Sequence, residues 1–269
     1  MKTVDTHAHA FSAAGSIVSG ARYKPSNDAP ISTFISELDQ YGFNYGVLIQ
    51  PSFLGYDNTY ILDSIRKYPD RLKGVAVLPL EVDRHVLKEL DEGGIVGARL
   101  NLFGKAIPDL RSSEWQHFLQ LIGERGWQLE LHCPPSYLVQ MLPQLQDFQG
   151  PVVVDHFGRV DPEKGTDDPD YVKIIDLLVP DRHWVKLSGF YRLGESETGK
   201  RHAHESLQML LAKGMEDRLV WGSDWPHTQH DTYMSYDQAL TFMDTLLPDE
   251  KLREKVLSHN PLRLFEFMQ

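Results

Sequence analysis

Short apolar runs alternate along this chain with longer stretches in which apolar residues recur every three or four positions. The short runs are TVDTHAHA (3–10), YGVLIQ (45–50), LKGVAVL (72–78), VGARLNL (96–102), WQLELHC (127–133), PVVVDH (151–156), WVKLSG (184–189) and RLVWGSD (218–224). They read as strands. A run such as PVVVD is continuously apolar, as expected of a strand covered on both faces. The stretches STFISELDQYG, TYILDSIRKYP, DRHVLKELDEGG, EWQHFLQLIGERG, SYLVQMLPQLQDF, YVKIIDLLV, HESLQMLLAKG and YDQALTFMDTLLP read as helices, several of them stopping at Gly or Pro. In 114–125, for example, Trp115, Phe118, Leu119 and Ile122 form one stripe while Glu114, Gln120 and Glu124 lie elsewhere. The tail DEKLREKVLSHNPLRLFEF reads as extra helix packed on the outside.

Eight strand–helix repeats in 269 residues match a (β/α)8 barrel in number and length. A doubly wound sheet shares the alternation. No G-x-G-x-x-G follows the first strand, however, and eight repeats is more than that fold usually needs. With no linker, low-complexity run or composition break, the expectation is an α/β, single-domain TIM barrel over residues 1–269.

Composition narrows the function classes. The chain is 41% hydrophobic with a mean hydropathy of −0.36, ordinary for a globular protein large enough to bury a sizeable core. The net charge of −11 argues against nucleic acid or an anionic membrane as partner, though it leaves room for a small anionic ligand in a locally basic cleft. The single cysteine, Cys133, permits no intrachain disulfide. No apolar segment follows Met1 and no run reaches membrane-spanning length, so a cytoplasmic enzyme is expected. Homo-oligomerisation stays open.

In a barrel, reactive groups sit at the C-terminal ends of strands. Strand 1 ends with His7 and His9, strand 5 with His132, strand 6 with His156 and strand 8 with Asp224. Arg99 lies on strand 4, and Arg159 and Arg192 follow strands 6 and 7. Strand alternation places Asp5, His7 and His9 on one face. Neutral imidazoles and a carboxylate suit a divalent ion. Without metal the same set can orient water and donate to a developing oxyanion. Asp5 reads as a buried hydrogen-bonding group at the barrel floor, and Asp155 as pointing away from His156. Cys133, turned outward if His132 faces in, reads as a small buried apolar residue. His202 and His204 read as a solvated pair at a helix start. His85, His117, His183, His230 and His259 read as structural or exposed. A guanidinium in a barrel lumen needs an anion, from the protein or from a substrate. All three arginines are candidates for a substrate carboxylate; if any pairs within the protein instead, Arg159 is the first choice, because Asp155, Asp161 and Glu163 are close in sequence.

The motifs VDTHAHAF, GARLNL, VVVDHFGR, VWGSDWPH and NPLRLF, together with RYKPSNDAP and YGVLIQPSFLGYDN, resemble the amidohydrolase superfamily. Within it they resemble the 2-pyrone-4,6-dicarboxylate hydrolase branch, and the likeness runs over nearly the whole chain. The resemblance implies hydrolysis of a lactone, ester or amide. It implies that Asp224 activates water, and that His7, His9 and His156 match the strand-1 and strand-6 histidines. It implies that Arg99, Arg159 and Arg192 hold substrate carboxylates, with Tyr23 and His227 in the pocket. Two positions depart from the branch: His132 stands for a strand-5 tyrosine, and Lys105 for an arginine, giving a point charge where a bidentate fork stood. Relatives with a strand-5 histidine often bind an ion through it, the strand-1 pair and the aspartate. The cofactor is therefore either none or one divalent metal (Zn or Mn) on His7, His9, His132 and Asp224. The expected reaction is opening of a carboxylated lactone by Asp-activated water. The alternatives are a Zn-dependent decarboxylase or hydratase of a muconate-like acid, or a sugar lactonase.

Overall fold

The computed structural model describes residues 1–15 and 17–267. Eight parallel strands form one sheet in chain order: β1 (Val4–Ala8), β2 (Tyr45–Ile49), β3 (Leu72–Ala76), β4 (Ile95–Asn101), β5 (Gln128–His132), β6 (Val152–Val154), β7 (His183–Leu187) and β8 (Leu219–Trp221). The sheet closes where Asp224 N donates to His7 O at 2.8 Å and His9 N to Trp225 O at 2.7 Å. Consecutive order and closure make this a (β/α)8 barrel. The doubly wound alternative falls, because that fold reverses its strand order partway.

Helices α1 (Ile31–Tyr41), α2 (Thr59–Lys67), α3 (Arg84–Glu92), α4 (Ser113–Gly123), α5 (Pro135–Met141), α6 (Pro169–Leu177), α7 (Ser196–Ala212) and α8 (Tyr236–Leu246) wrap the barrel. Their boundaries follow local chemistry. Ser112 caps α4 by accepting from Trp115 N, and Gly42 ends α1 in the left-handed conformation at φ 75°. The helix expected over 136–148 divides at Pro143 into α5 and a 3₁₀ turn, since proline lacks the needed N–H.

Strand β6 shows how the layers share an apolar run: Val152 and Val154 sink into the shell beneath the helices, and Val153 into the lumen. The tail, α9 (Glu250–Glu254), a π-turn (Lys255–His259) and α10 (Asn260–Leu264), packs on the outside as expected only in its first part, where Val256 and Leu257 join the shell. Its Leu262, Phe265 and Phe267 join lumen residues Val4, Val47 and Val220 in a second buried cluster, and Asn260 Nδ2 donates to Leu219 O at 2.8 Å. The tail therefore plugs the N-terminal end of the barrel. Its apolar stripe finds more surface to bury in that open end than on helices already covered by their own contacts.

Candidate active site

Above the plug, four charged side chains cross the lumen. Arg99 Nε meets Asp155 Oδ2 at 2.8 Å, and Lys186 Nζ meets Glu130 Oε1 at 2.6 Å and Asp155 Oδ1 at 3.6 Å, all of them buried. Burial pushes the Glu130 carboxyl up to about 7 against the opposing pull of Lys186. Asp155 thus faces inward, contrary to expectation. Strand β6 ends at Val154, so alternation carries Asp155 to the lumen side with Val153. His156 then adopts φ 49°, which ends the alternation and turns its ring inward as well.

Strand β1 departs from simple alternation too. Its pairing with β2 runs Asp5↔Gly46 and then Ala8↔Leu48, three residues against two. This bulge puts Asp5 on the face opposite His7 and His9. Asp5 is therefore no floor group of the lumen. It accepts from Ser223 N (2.9 Å), Ser223 Oγ (2.6 Å) and Tyr236 Oη (3.0 Å) on the helix side, and burial pushes its carboxyl up to about 6 despite those bonds.

His7, His9, His132 and His156 all face the mouth. Ring centroids stand 5.0 Å apart for His7–His9, 4.7 Å for His7–His156 and 5.1 Å for His132–His156. Burial, reinforced by Lys186 for His7 and Arg99 for His132, holds both imidazoles well below their ordinary value; burial takes His156 down to about 3. These three rings are neutral at pH 7. Both nitrogens of His132 are buried without a hydrogen-bond partner among the described residues.

Asp224 lies just past β8 with φ 61°. Its Oδ2 accepts from Tyr191 Oη at 2.7 Å and from Arg192 Nε at 2.6 Å. Its Oδ1 has no hydrogen-bond partner and faces His9 Nε2 at 3.6 Å and His7 Nε2 at 3.9 Å. Burial would raise this carboxyl, but Arg192 and the histidines outweigh it and hold it well below the usual carboxylate range. Gly189 makes the approach possible: at φ 60°, a Cβ there would stand 3.0 Å from Asp224 Oδ2 and 3.0 Å from His156 Nδ1. Five of the eight described non-glycine residues with positive φ are His156, Phe157, Arg159, Asp224 and His227, a concentration of backbone strain at one place.

The arginines do not pair by closeness in sequence. Arg99 and Arg192 hold protein carboxylates, whereas Arg159 forms no ion pair with any described residue and lies 4.6 Å over the Phe103 ring. Asp161 is occupied with the Glu163 and Lys164 amides. Burial and the neighbouring Arg192 take Arg159 down to about 9. Tyr23 Oη reaches Thr228 Oγ1 at 3.2 Å, beside a cavity of about 270 Å³ at the mouth. His227 Nδ1 is 3.1 Å from Tyr191 Oη, and burial takes this imidazole down to about 4. Lys105 is exposed on the loop after β4.

Ligand atoms of His7, His9 and Asp224 lie within 4.8 Å of one another and could hold a metal ion by position, as could those of His7, Asp155 and His156. His132 belongs to neither group, so the expected four-ligand set is not assembled. Two donors of the first group have free lone pairs. Asp224 Oδ1 is unpartnered, and His9 uses Nδ1 on the Ile49 carbonyl at 2.7 Å, freeing Nε2. The third donor, His7, has its Nδ1 3.3 Å from Lys186 Nζ and 3.6 Å from Asp155 Oδ1, so its availability as a ligand turns on which nitrogen carries the proton.

Among the decoys, His202 is buried, not solvated, with Nδ1 on Leu193 O at 2.9 Å. Helix α7 begins eight residues before the predicted start, so the pair sits mid-helix. Cys133 is buried in the shell, as expected, and burial pushes its thiol up to about 12. The sequence reading missed Tyr191, Lys186 and Glu130. The last two had a signal: a lone charge inside the apolar runs WVKLSG and WQLELHC, the latter in phase with His132.

Fold and site together define a barrel enzyme of the hydrolytic type, with reactive groups gathered at the C-terminal mouth. The chain belongs to the amidohydrolase family, whose model matches residues 4–267. It is 47% identical to a probable 2-pyrone-4,6-dicarboxylic acid hydrolase of Acinetobacter baumannii, solved with citric acid bound, at a TM-score of 0.98 over 99% of this chain and 100% of that one. It is 29% identical to the 4-sulfomuconolactone hydrolase of Hydrogenophaga intermedia, over 97% of this chain and 88% of the relative. It is 27% identical to the 2-pyrone-4,6-dicarboxylate hydrolase of Comamonas testosteroni, over 97% and 89%. Among the described residues no helix is long and apolar enough to cross a membrane.

Proposed function

We propose that the enzyme opens the ring of a small carboxylated lactone by water addition, in the cytoplasm. The observation that carries this reading is the division of labour within Asp224: Oδ2 is saturated by Tyr191 and Arg192, and Oδ1 is free and aimed at the histidines. In this mechanism Oδ1 orients a water. His7 and His156 donate to the lactone carbonyl oxygen as it gains charge. A carboxylate held this low is a poor base toward free water. It suffices because the water becomes strongly acidic as its oxygen bonds to the carbonyl carbon, and Arg192 keeps the acceptor ionised until that proton arrives. When the ring C–O bond breaks, the leaving oxygen departs as an enolate or alkoxide and recovers the proton from Asp224.

Arg159, with no ion-pair partner among the described residues, is the guanidinium available to a substrate carboxylate; Arg99 and Arg192 serve through their own carboxylates, Asp155 and Asp224. His132, Tyr23, His227 and Lys105 line or border the space that substrate would fill. The relatives named for lactone and pyrone hydrolysis, and the tricarboxylic acid held by the Acinetobacter protein, support a small anionic substrate. The test is a hydrolysis screen across pyrone dicarboxylates, muconolactones and sugar lactones, with and without chelator. Ring opening confined to carboxylated lactones is expected. Turnover only of neutral lactones would overturn the carboxylate assignment, and turnover abolished by chelator would overturn the metal-free chemistry.

A further inference from the structure

We propose that Lys186 is a positioning residue: it fixes His7 as the tautomer with its proton on Nε2, making His7 a hydrogen-bond donor to substrate and not a metal ligand. Lys186 Nζ contacts Glu130 Oε1 at 2.6 Å, His7 Nδ1 at 3.3 Å and Asp155 Oδ1 at 3.6 Å. An ammonium has three hydrogens and no lone pair, and the carboxylate oxygen nearest His7 Nδ1 among the described residues, Asp155 Oδ1, stands 3.6 Å away, beyond hydrogen-bond reach, so Nδ1 accepts from Lys186. A doubly protonated His7 would set its Nδ1–H against those hydrogens. The single ring proton therefore sits on Nε2, which stands 3.3 Å from His9 Nε2. The orientation of His9 is settled independently, because a carbonyl only accepts: Nδ1–H goes to Ile49 O at 2.7 Å. His9 Nε2 thus carries the lone pair that receives His7 Nε2–H.

The reverse arrangement is self-defeating without a cation. It would point the His7 Nε2 lone pair at those of His9 and Asp224 Oδ1 across 3.3 and 3.9 Å, and it would turn an Nδ1–H toward the Lys186 hydrogens, with Asp155 Oδ1 at 3.6 Å as its acceptor. The four lumen charges favour the first arrangement. Lys186 and Arg99 balance Glu130 and Asp155, and a divalent ion would add positive charge beside Arg192 and Arg159. When a lactone carbonyl enters, Nε2–H turns from His9 to that oxygen.

The catalytic part of this inference rests on the proposed lactone hydrolysis; the tautomer does not. The deciding measurement is long-range ¹H–¹⁵N correlation NMR on ¹⁵N-histidine protein at neutral pH, with His7 assigned from the spectrum of His7→Gln. A protonated-type shift for Nε2 and an unprotonated-type shift for Nδ1 are expected; the opposite pattern overturns the proposal. The charge-balanced double variant Lys186→Met/Glu130→Gln should bind Zn²⁺ roughly 10-fold or more tighter than wild type in a chelator-competition assay, in the range that outer ligand partners command. Its kcat on the best substrate should fall by about 10–100-fold with KM little changed. Unchanged Zn²⁺ affinity and kcat in a folded double variant would also overturn it. If that variant does not fold, the wild-type spectrum still decides. Should no lactone be turned over while the tautomer is as expected, the reaction is wrong and the positioning role of Lys186 stands.

Discussion

Replacing Asp224 with Asn tests both halves of the site at once, because this carboxylate is base and structural anion together. Asn keeps the shape. With its amide oxygen in the Oδ2 position it still accepts from Tyr191 and Arg192, and its NH₂ then faces the lone pair of His9. What is lost is the acceptor for the proton of water and the negative charge beside a mostly buried guanidinium. Losing a general base typically costs about 10²–10⁴ in kcat. Removing one partner of a buried ion pair costs about 3–5 kcal/mol. Because Asn retains both hydrogen bonds as neutral ones, the stability loss here should be smaller, about 1–3 kcal/mol. The double variant Asp224→Asn/Arg192→Met separates the effects, since removing the unpaired guanidinium should return part of the stability and none of the turnover. Urea denaturation and steady-state kinetics on the best lactone measure the two quantities. Near wild-type turnover in Asp224→Asn would refute the mechanism, and equal stability of Asp224→Asn and wild type would refute the description of the Arg192 pair.

The arginines should divide by partner. Arg159→Met should raise KM about 10–100-fold, the worth of a charged hydrogen bond of about 1.5–3 kcal/mol, with Tm little changed; Arg99→Met should instead lower stability by about 3–5 kcal/mol by stranding Asp155. Equal KM in wild type and Arg159→Met would remove Arg159 from substrate binding. Stability should fall as pH drops from about 6.5 toward 4: the unfolded chain takes up protons on His7, His132, His156 and His227 below the ordinary histidine value, while the folded state keeps them neutral. Asp5, raised to about 6, and Glu130, raised to about 7, work the other way as pH falls, but they are two groups against four; a urea midpoint constant over this window would contradict the neutral histidines. Phe265→Ala should cost about 3–5 kcal/mol by opening a cavity in the plug, with KM unchanged; an unaltered urea midpoint would mean the tail does not seal the barrel.

The alternation of apolar runs and amphipathic stretches was enough to determine the barrel, its strand order and the mouth at which His7, His9, His132, His156 and Asp224 meet. Periodicity and chain direction are local properties that every residue carries with it. Only the tertiary structure decided which way particular side chains turn where the period breaks. The bulge in β1 sends Asp5 to the helix side. The left-handed backbone at His156 brings Asp155 and His156 into the lumen together, and an open barrel end draws in the tail. It also decided which arginine is free. Pairing depends on distances between strands far apart in sequence, so Asp155 goes to Arg99 across the lumen, 56 residues away, and not to Arg159, four positions along the chain. The proton on His7 belongs to the same class of fact: it is set by Lys186, 179 residues distant, through a contact that exists only once the sheet has closed.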